Sequence, residues 1–225
     1  MNDLTLIIPA KFESESLPHT LRELENLDCK IIISLQKDDI QTINSIKEFP
    51  HDIYEQKQKG YGNSITEAIN YCKTKYFCIF NADGSFEKND LIKMYKLCKD
   101  YDFVYTSRYL ENGGSEDDTL ITYLGNKIFS LVGRIFFSLK LNDILYTYVM
   151  GRRDKFIQLD VKSNDFRFCV EFPIKMELNQ MTYINIPSYE KKRIGGKKKV
   201  NAFRDGFLIL IEMIKLFFNF KVFRK

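Results

Sequence analysis

Tyr76-Phe77-Cys78-Ile79-Phe80-Asn81-Ala82-Asp83-Gly84-Ser85 is an apolar run that stops at a carboxylate beside a glycine. A buried strand that delivers an acidic group to the carboxyl edge of a sheet has this pattern. In open α/β sheets that edge is where ligands bind. A single aspartate there suits a divalent cation, and a divalent cation suits a diphosphate. A plain turn uses the same residue types, because Asp and Gly are turn formers. The segment alone leaves both readings open, and the rest of the chain has to decide.

Around this strand the chain alternates. Short apolar runs predict strands at Leu4–Pro9, Lys30–Leu35, Asp52–Gln56 and Phe103–Ser107. Between them, helical spacing predicts helices over Ser14–Leu27, Ile40–Glu48, Asn63–Lys73 and Asn89–Lys99, with a loop at Lys59-Gly60-Tyr61-Gly62. Strands alternating with helices imply an α/β fold, a mostly parallel sheet covered on both faces. The second half is less regular. It reads as a polar loop at Glu111–Asp118, an amphipathic helix over Leu120–Leu141 and a strand near Tyr146–Met150. A helix over Glu171–Leu178, a strand at Tyr183–Ile186, a basic loop at Glu190–Lys199 and a last helix over Asn201–Phe220 follow. The expected organisation is one domain over 1–200, with halves 1–110 and 111–200, and an amphipathic basic helix over 201–225.

The chain's 225 residues can bury one large core, and its balance of 44% hydrophobic and 28% charged residues is that of a globular protein. The net charge of +4 hides an asymmetry. Residues 190–225 carry eleven Lys/Arg against three Asp/Glu, so the rest of the chain is acidic. Such a tail suits phosphates or an anionic surface, or is simply solvated. Five cysteines without a C-x-x-C pair read as reduced core residues, and two distant histidines give no zinc site. Leu4–Ile8 is too short for a signal-peptide core, and no stretch of about 18 uncharged apolar residues predicts a membrane span.

Several segments resemble, in order, the family 2 glycosyltransferases, and within them the dolichol- or polyprenyl-phosphate sugar synthases. Ile7-Ile8-Pro9-Ala10-Lys11-Phe12-Glu13 is similar to the "IPAYNE" first strand. Lys59-Gly60-Tyr61-Gly62-Asn63-Ser64 is similar to the turn that opens the third helix. Asn81-Ala82-Asp83 stands where the family has "DAD". Ser107-Arg108-Tyr109 with Gly113-Gly114 resembles "GSRY…GG", and Arg193-Ile194-Gly195-Gly196-Lys197-Lys198-Lys199 resembles "R-x-x-G-x-S-K". The resemblance implies the GT-A fold and transfer of a sugar from a nucleoside diphosphate with inversion.

It also implies roles. Asp83, with Ser85, would hold Mg²⁺ or Mn²⁺ on the two phosphates. Pro9, Ala10, Glu13, Ser34, Lys59, Gly60, Gly62 and Asn81 would line the nucleotide-sugar pocket, the two glycines letting backbone approach the ligand. Arg108, as a bidentate guanidinium, and Arg193 with Lys199 would bind the diphosphate or the acceptor phosphate. Glycines at 195 and 196 suit a lid. Glu171 matches an acidic position on the acceptor side. It or Asp165 would be the general base for a sugar hydroxyl, whereas a lipid phosphate acceptor needs none. A capping role for Glu171, a surface salt bridge for Arg108 and a plain helix start for the Gly-Tyr-Gly turn account for the same residues.

Two departures stand out. The "DDGS" after the second strand is replaced by Ser34-Leu35-Gln36-Lys37, and the first acid of "DAD" is Asn81. Both weaken the expected metal and base contacts. The last helix shows a narrow polar stripe at Glu212, Lys215 and Asn219 and ends in Lys221, Arg224 and Lys225. It suits an anionic membrane surface, with Leu120–Leu141 as a second contact; packing on the domain, on a second subunit or on a membrane-protein partner is the alternative. The expected location is the cytoplasmic side of the cell membrane, peripherally bound. The leading reading is transfer to polyprenyl phosphate. The alternatives are a saccharide acceptor in cell-surface polysaccharide synthesis, or a non-catalytic membrane adaptor with a decayed site. No nucleic-acid module is recognisable.

Overall fold

The computed structural model describes residues 1–196 and 199–222. Lys197, Lys198 and residues 223–225 of the basic tail lie outside the described residues. Nine strands form: β1 (Leu4–Pro9), β2 (Lys30–Leu35), β3 (Asp52–Glu55), β4 (Tyr76–Ile79), β5 (Phe103–Ser107), β6 (Gly114–Ser115), β7 (Val149–Arg152), β8 (Tyr183–Pro187) and β9 (Tyr189–Glu190). Among the described residues, eight α-helices join them: α1 (Leu17–Leu24), α2 (Ile40–Ser45), α3 (Tyr61–Tyr71), α4 (Asp90–Leu97), α5 (Leu120–Phe137), α6 (Arg153–Gln158), α7 (Phe168–Leu178) and α8 (Ala202–Phe217).

The main sheet has the order β3-β2-β1-β4-β7-β5-β8. Every pairing is parallel except those of β7, which runs antiparallel between β4 and β5. A small parallel pair, β6-β9, stands apart. The fold is thus the expected α/β sheet, with one reversed strand that local sequence does not mark.

Side-chain alternation along β1 explains the two cores. Leu4, Leu6 and Ile8 point to the face covered by α1 and α4, where they meet Leu17, Leu21, Leu91 and Met94. Ile7 points to the other face, where Ile65, Phe172 and Met213 belong to α3, α7 and α8. Both faces being covered, β4 is apolar throughout and β1 is apolar apart from the buried Thr5. Strand order reverses between β1 and β4, which opens a crevice at their carboxyl ends. Pro9-Ala10 and the 80–85 turn therefore flank one crevice.

Helix ends follow local chemistry. Pro18 sits in the first turn of α1. Thr119 and Thr122 cap α5 reciprocally, and Ser138 ends it in the left-handed conformation. By length and composition alone α5 could cross a membrane, with a mean hydropathy of 1.2 over 18 residues. The run is not uncharged, because it holds Lys127 and Arg134, so it is not the uncharged apolar stretch whose absence the sequence predicts. In the fold α5 packs against α7 and α8, with Phe136 and Phe137 on Phe217, while Asn126, Ser130 and Gly133 face the 139–145 segment.

α8 departs from the expected stripe. Glu212 turns inward, 3.8 Å from Arg167 near the start of α7, whereas Lys215 is exposed. Phe203, Phe207, Leu210, Ile214 and Phe218 are exposed along one side of α8, and Leu120, Ile121, Leu124, Ile128, Leu131 and Ile135 along α5. Both helices thus carry an uncovered apolar face.

Candidate active site

β4 brings Asp83 to the crevice as its sequence predicts. The turn is shaped by Gly84, whose φ of 76° is left-handed. Asp83 is 8% exposed. Its Oδ1 accepts the Ser85 backbone N–H at 3.1 Å and the Ser85 hydroxyl at 2.7 Å, so Ser85 orients the carboxylate. Its Oδ2 faces the Arg193 guanidinium at 3.4 Å. Asn81 is half-buried beside it.

On the other side of the crevice, the Ala10 N–H donates to Ser34 O. The following turn is pinned by α2: Phe12 N–H donates to Asp39, and Glu13 N–H to Thr42 Oγ1. Glu13 is buried, accepts the Ser16 hydroxyl and lies 3.3 Å from Lys199. A cavity of about 290 Å³ opens at the ends of β2 and β3, lined by Gln36, Lys37, Asp38, Gln56, Lys57 and Lys59. Of these, only Lys59 stands out in the sequence. Gln36 and Gln56 replace acids or follow a weak strand and carry no local signal.

Lys191, Arg193, Ile194 and Lys199 of the basic loop lie against this edge. Arg193 is shared between Asp83 and Asp117, the latter at 3.0 Å. Burial would lower its pKa, but Asp117, Asp83 and Glu13 outweigh that and raise it, so the group stays charged. Asp117 sits in the Glu111–Asp118 stretch that reads only as polar loop.

Four expected roles are corrected. Ser34 is fully buried under the start of α3, and its carbonyl accepts from Ala10, Gln56 and Ser64, so it is a structural junction rather than a base contact. Gly60 and Gly62 are required by close approach of the protein's own backbone. A Cβ on Gly60 would strike the Asn164 carbonyl and one on Gly62 the Ser163 carbonyl. Arg108 is committed to acids of the protein itself. Its guanidinium pairs bidentately with Asp143, contacts Glu190 at 2.9 Å and stacks over Tyr146 at 4.6 Å.

Glu171, the fourth, is 3% exposed. It accepts the backbone N–H groups of Lys162 and Ser163 and pairs with Lys175 at 2.6 Å. Glu171 thereby fixes the 162–164 loop that presses on Gly60 and Gly62. Asp165 is likewise committed, to the Arg167 backbone and guanidinium. Burial would raise the Glu171 pKa, but the bonds from Lys175, Ser163 and Lys162 hold it below the ordinary value of 4.5. Its contribution is therefore complete above about pH 4.5 and disappears as pH falls through the depressed value. Glu171→Gln should cost about 2 kcal/mol at pH 7, read as a lower midpoint in urea unfolding. The gap between variant and parent should close as pH falls through that depressed value.

Asp83 fits a divalent cation. Oδ2 is a hard anionic oxygen already facing a positive group, and Mg²⁺ commonly takes one carboxylate together with substrate phosphates. No cluster of three His, Cys, Asp or Glu side chains suited to a metal exists among the described residues, so those phosphates would complete the shell.

The model of the glycosyl transferase family 2 matches residues 5–160. Glycosyltransferase AglJ of Haloferax volcanii is 23% identical over 163 residues, which is 71% of this chain and 54% of that protein; the chain thus spans about half the length of this curated relative. Glucosyl-3-phosphoglycerate synthase of Mycobacterium tuberculosis, solved with Mn²⁺, UDP and phosphoglyceric acid, superimposes with a TM-score of 0.69 at 10% identity, covering 95% of this chain and 78% of that one. The same enzyme with Mg²⁺ and UDP gives 0.68 at 9% identity, covering 95% and 78%. At that identity the likeness concerns the GT-A fold.

Proposed function

Because this chain belongs to glycosyl transferase family 2, we propose that it is an inverting glycosyltransferase that moves a sugar from a nucleoside diphosphate to a polyprenyl phosphate at a membrane surface. In such a displacement the acceptor oxygen attacks the anomeric carbon as the bond to the diphosphate breaks, and the diphosphate keeps the electron pair. A divalent ion bound at Asp83 would offset the charge that grows on the departing diphosphate. Lys59, Arg193 and Lys199 supply further positive charge around the same edge.

The observation that carries the acceptor class is the state of the carboxylates. A sugar hydroxyl must lose its proton to a base. Glu171 and Asp165 are committed to the 162–167 segment. Asp118 accepts from Tyr109 and Thr122, Glu190 from Arg108 and Ser115, and Asp117 from Arg193. A phosphate acceptor is already anionic and needs no base. The uncovered apolar faces of α5 and α8 suit the lipid part of that acceptor and the headgroup layer of a membrane, with the basic tail toward anionic lipid. The same reading has the protein lying peripherally on the inner face of the cell membrane.

The test is transfer of labelled sugar from UDP- and GDP-sugars, with Mg²⁺ or Mn²⁺, to polyprenyl phosphate in detergent, to phosphoglyceric acid and to oligosaccharides. Label in the lipid fraction alone is the expected result. Label on phosphoglyceric acid, the acceptor crystallised with the Mycobacterium neighbour, or on a saccharide would displace the lipid reading. No transfer from any donor would leave a non-catalytic adaptor.

A further inference from the structure

The loop that carries Arg193 is closed on the site by its backbone as well as by charge. Lys191 N–H donates to Ser85 O at 2.8 Å and Ile194 N–H to Asp83 O at 2.9 Å, so the loop is hydrogen-bonded to the very turn that bears Asp83. The Ile194 side chain fills the space over Gly84, where any Cβ would collide with it. Three cations of the loop sit on acids of the crevice: Lys191 on Glu87 at 3.2 Å, Arg193 on Asp83 and Asp117, and Lys199 on Glu13 at 3.3 Å.

We propose that Arg193 is a place-holding cation that keeps Asp83 closed to free metal and yields only to a metal already carrying a diphosphate. This rests on the reading of the Asp83 edge as the diphosphate site. The guanidinium faces Oδ2, the one oxygen of Asp83 that Ser85 does not occupy. A lone divalent ion must therefore break the Arg193 pair and leave a half-buried guanidinium without that partner, which is costly. A metal–diphosphate complex brings replacement partners for both sides: its metal for Asp83, its phosphate oxygens for Arg193 and Lys199. The exchange keeps the local charge balanced, as metal alone does not. Gly195 and Gly196, the latter at φ 73°, give the segment the backbone freedom to shift after Ile194 leaves Gly84.

The experiment is Mn²⁺ binding, followed by the paramagnetic signal of free Mn²⁺, with and without UDP, in the full chain. The wild type should bind Mn²⁺ weakly alone and tightly with UDP. Arg193→Gln should bind Mn²⁺ alone about tenfold more tightly, and Asp83→Asn in that background should abolish the gain. Arg193→Lys, which keeps the charge, should stay near wild type. Should Arg193→Gln not fold, the wild type still decides: Mn²⁺ bound alone as tightly as with UDP overturns the proposal. So does a folded Arg193→Gln with unchanged Mn²⁺ affinity, even where UDP–Mn²⁺ binds normally and the donor-site reading stands. A gain in Mn²⁺ affinity with no nucleotide binding in any variant overturns the exchange and the donor-site reading together, leaving Arg193 only as a screen of Asp83 from free metal.

Discussion

Asp83→Asn is expected to lower sugar transfer about 10²- to 10³-fold, the scale on which removal of one preorganised charge-stabilising group acts. The reasoning separates charge from shape. Asparagine keeps an oxygen to accept the Ser85 N–H and hydroxyl, so the turn at Gly84 survives. What it loses is the anionic Oδ2, the carboxylate oxygen that Ser85 leaves to the crevice, and Asn81 beside it is neutral. Melting temperature should change by no more than a few degrees, because Asp83 lies at the rim of the core and its partner Arg193 keeps Asp117. Ser85→Ala is a graded companion: it leaves the charge and frees its direction, and about a tenfold loss is expected. Steady-state transfer at saturating donor, with UDP binding followed by calorimetry, measures both. Transfer within twofold of wild type in Asp83→Asn would move the chemistry away from this edge.

The prominence of Asp83 in the bare sequence has a local cause. A buried strand, its abrupt end and a turn glycine are all encoded within ten residues. The first strand, the alternation and the basic loop are legible for the same reason. What the sequence hides is pairing over distance. Arg108 lies 35 residues from Asp143 and 82 from Glu190, so nothing near Arg108 reveals that it is already neutralised. The direction of β7 is set by its neighbours β4 and β5, not by Val149–Arg152. Gly60 and Gly62 look like ligand-facing glycines because close approach of any backbone requires the same residue; the approaching backbone is that of Ser163 and Asn164. Glu171 reads as an available base and Glu212 as part of a polar stripe because Lys162, Ser163 and Arg167 become their partners only through the fold.

Arg108→Met tests that distinction most sharply, and its expected effect is on stability. The guanidinium neutralises Asp143, whose side chain is 0% exposed, and binds Glu190 and, at 4.0 Å, Asp118. Burial would lower the pKa of Arg108, but Asp143 and Glu190 outweigh it and raise it well above the usual value, so the charge is permanent. Removing it leaves a buried aspartate facing only Asn126 and the Arg108 backbone N–H. Breaking a buried pair in this way costs about 3–5 kcal/mol, or roughly 6–20 °C in melting temperature for a chain of this size. Arg108→Lys keeps the charge but loses the fork and should fall between. Removing both charges, as Arg108→Met with Asp143→Asn, should recover part of the loss, because the penalty comes from the uncompensated carboxylate rather than from a missing attraction. Thermal unfolding of the three variants decides the matter. A folded Arg108→Met with wild-type stability and weakened acceptor affinity would return Arg108 to the phosphate site that its motif suggests.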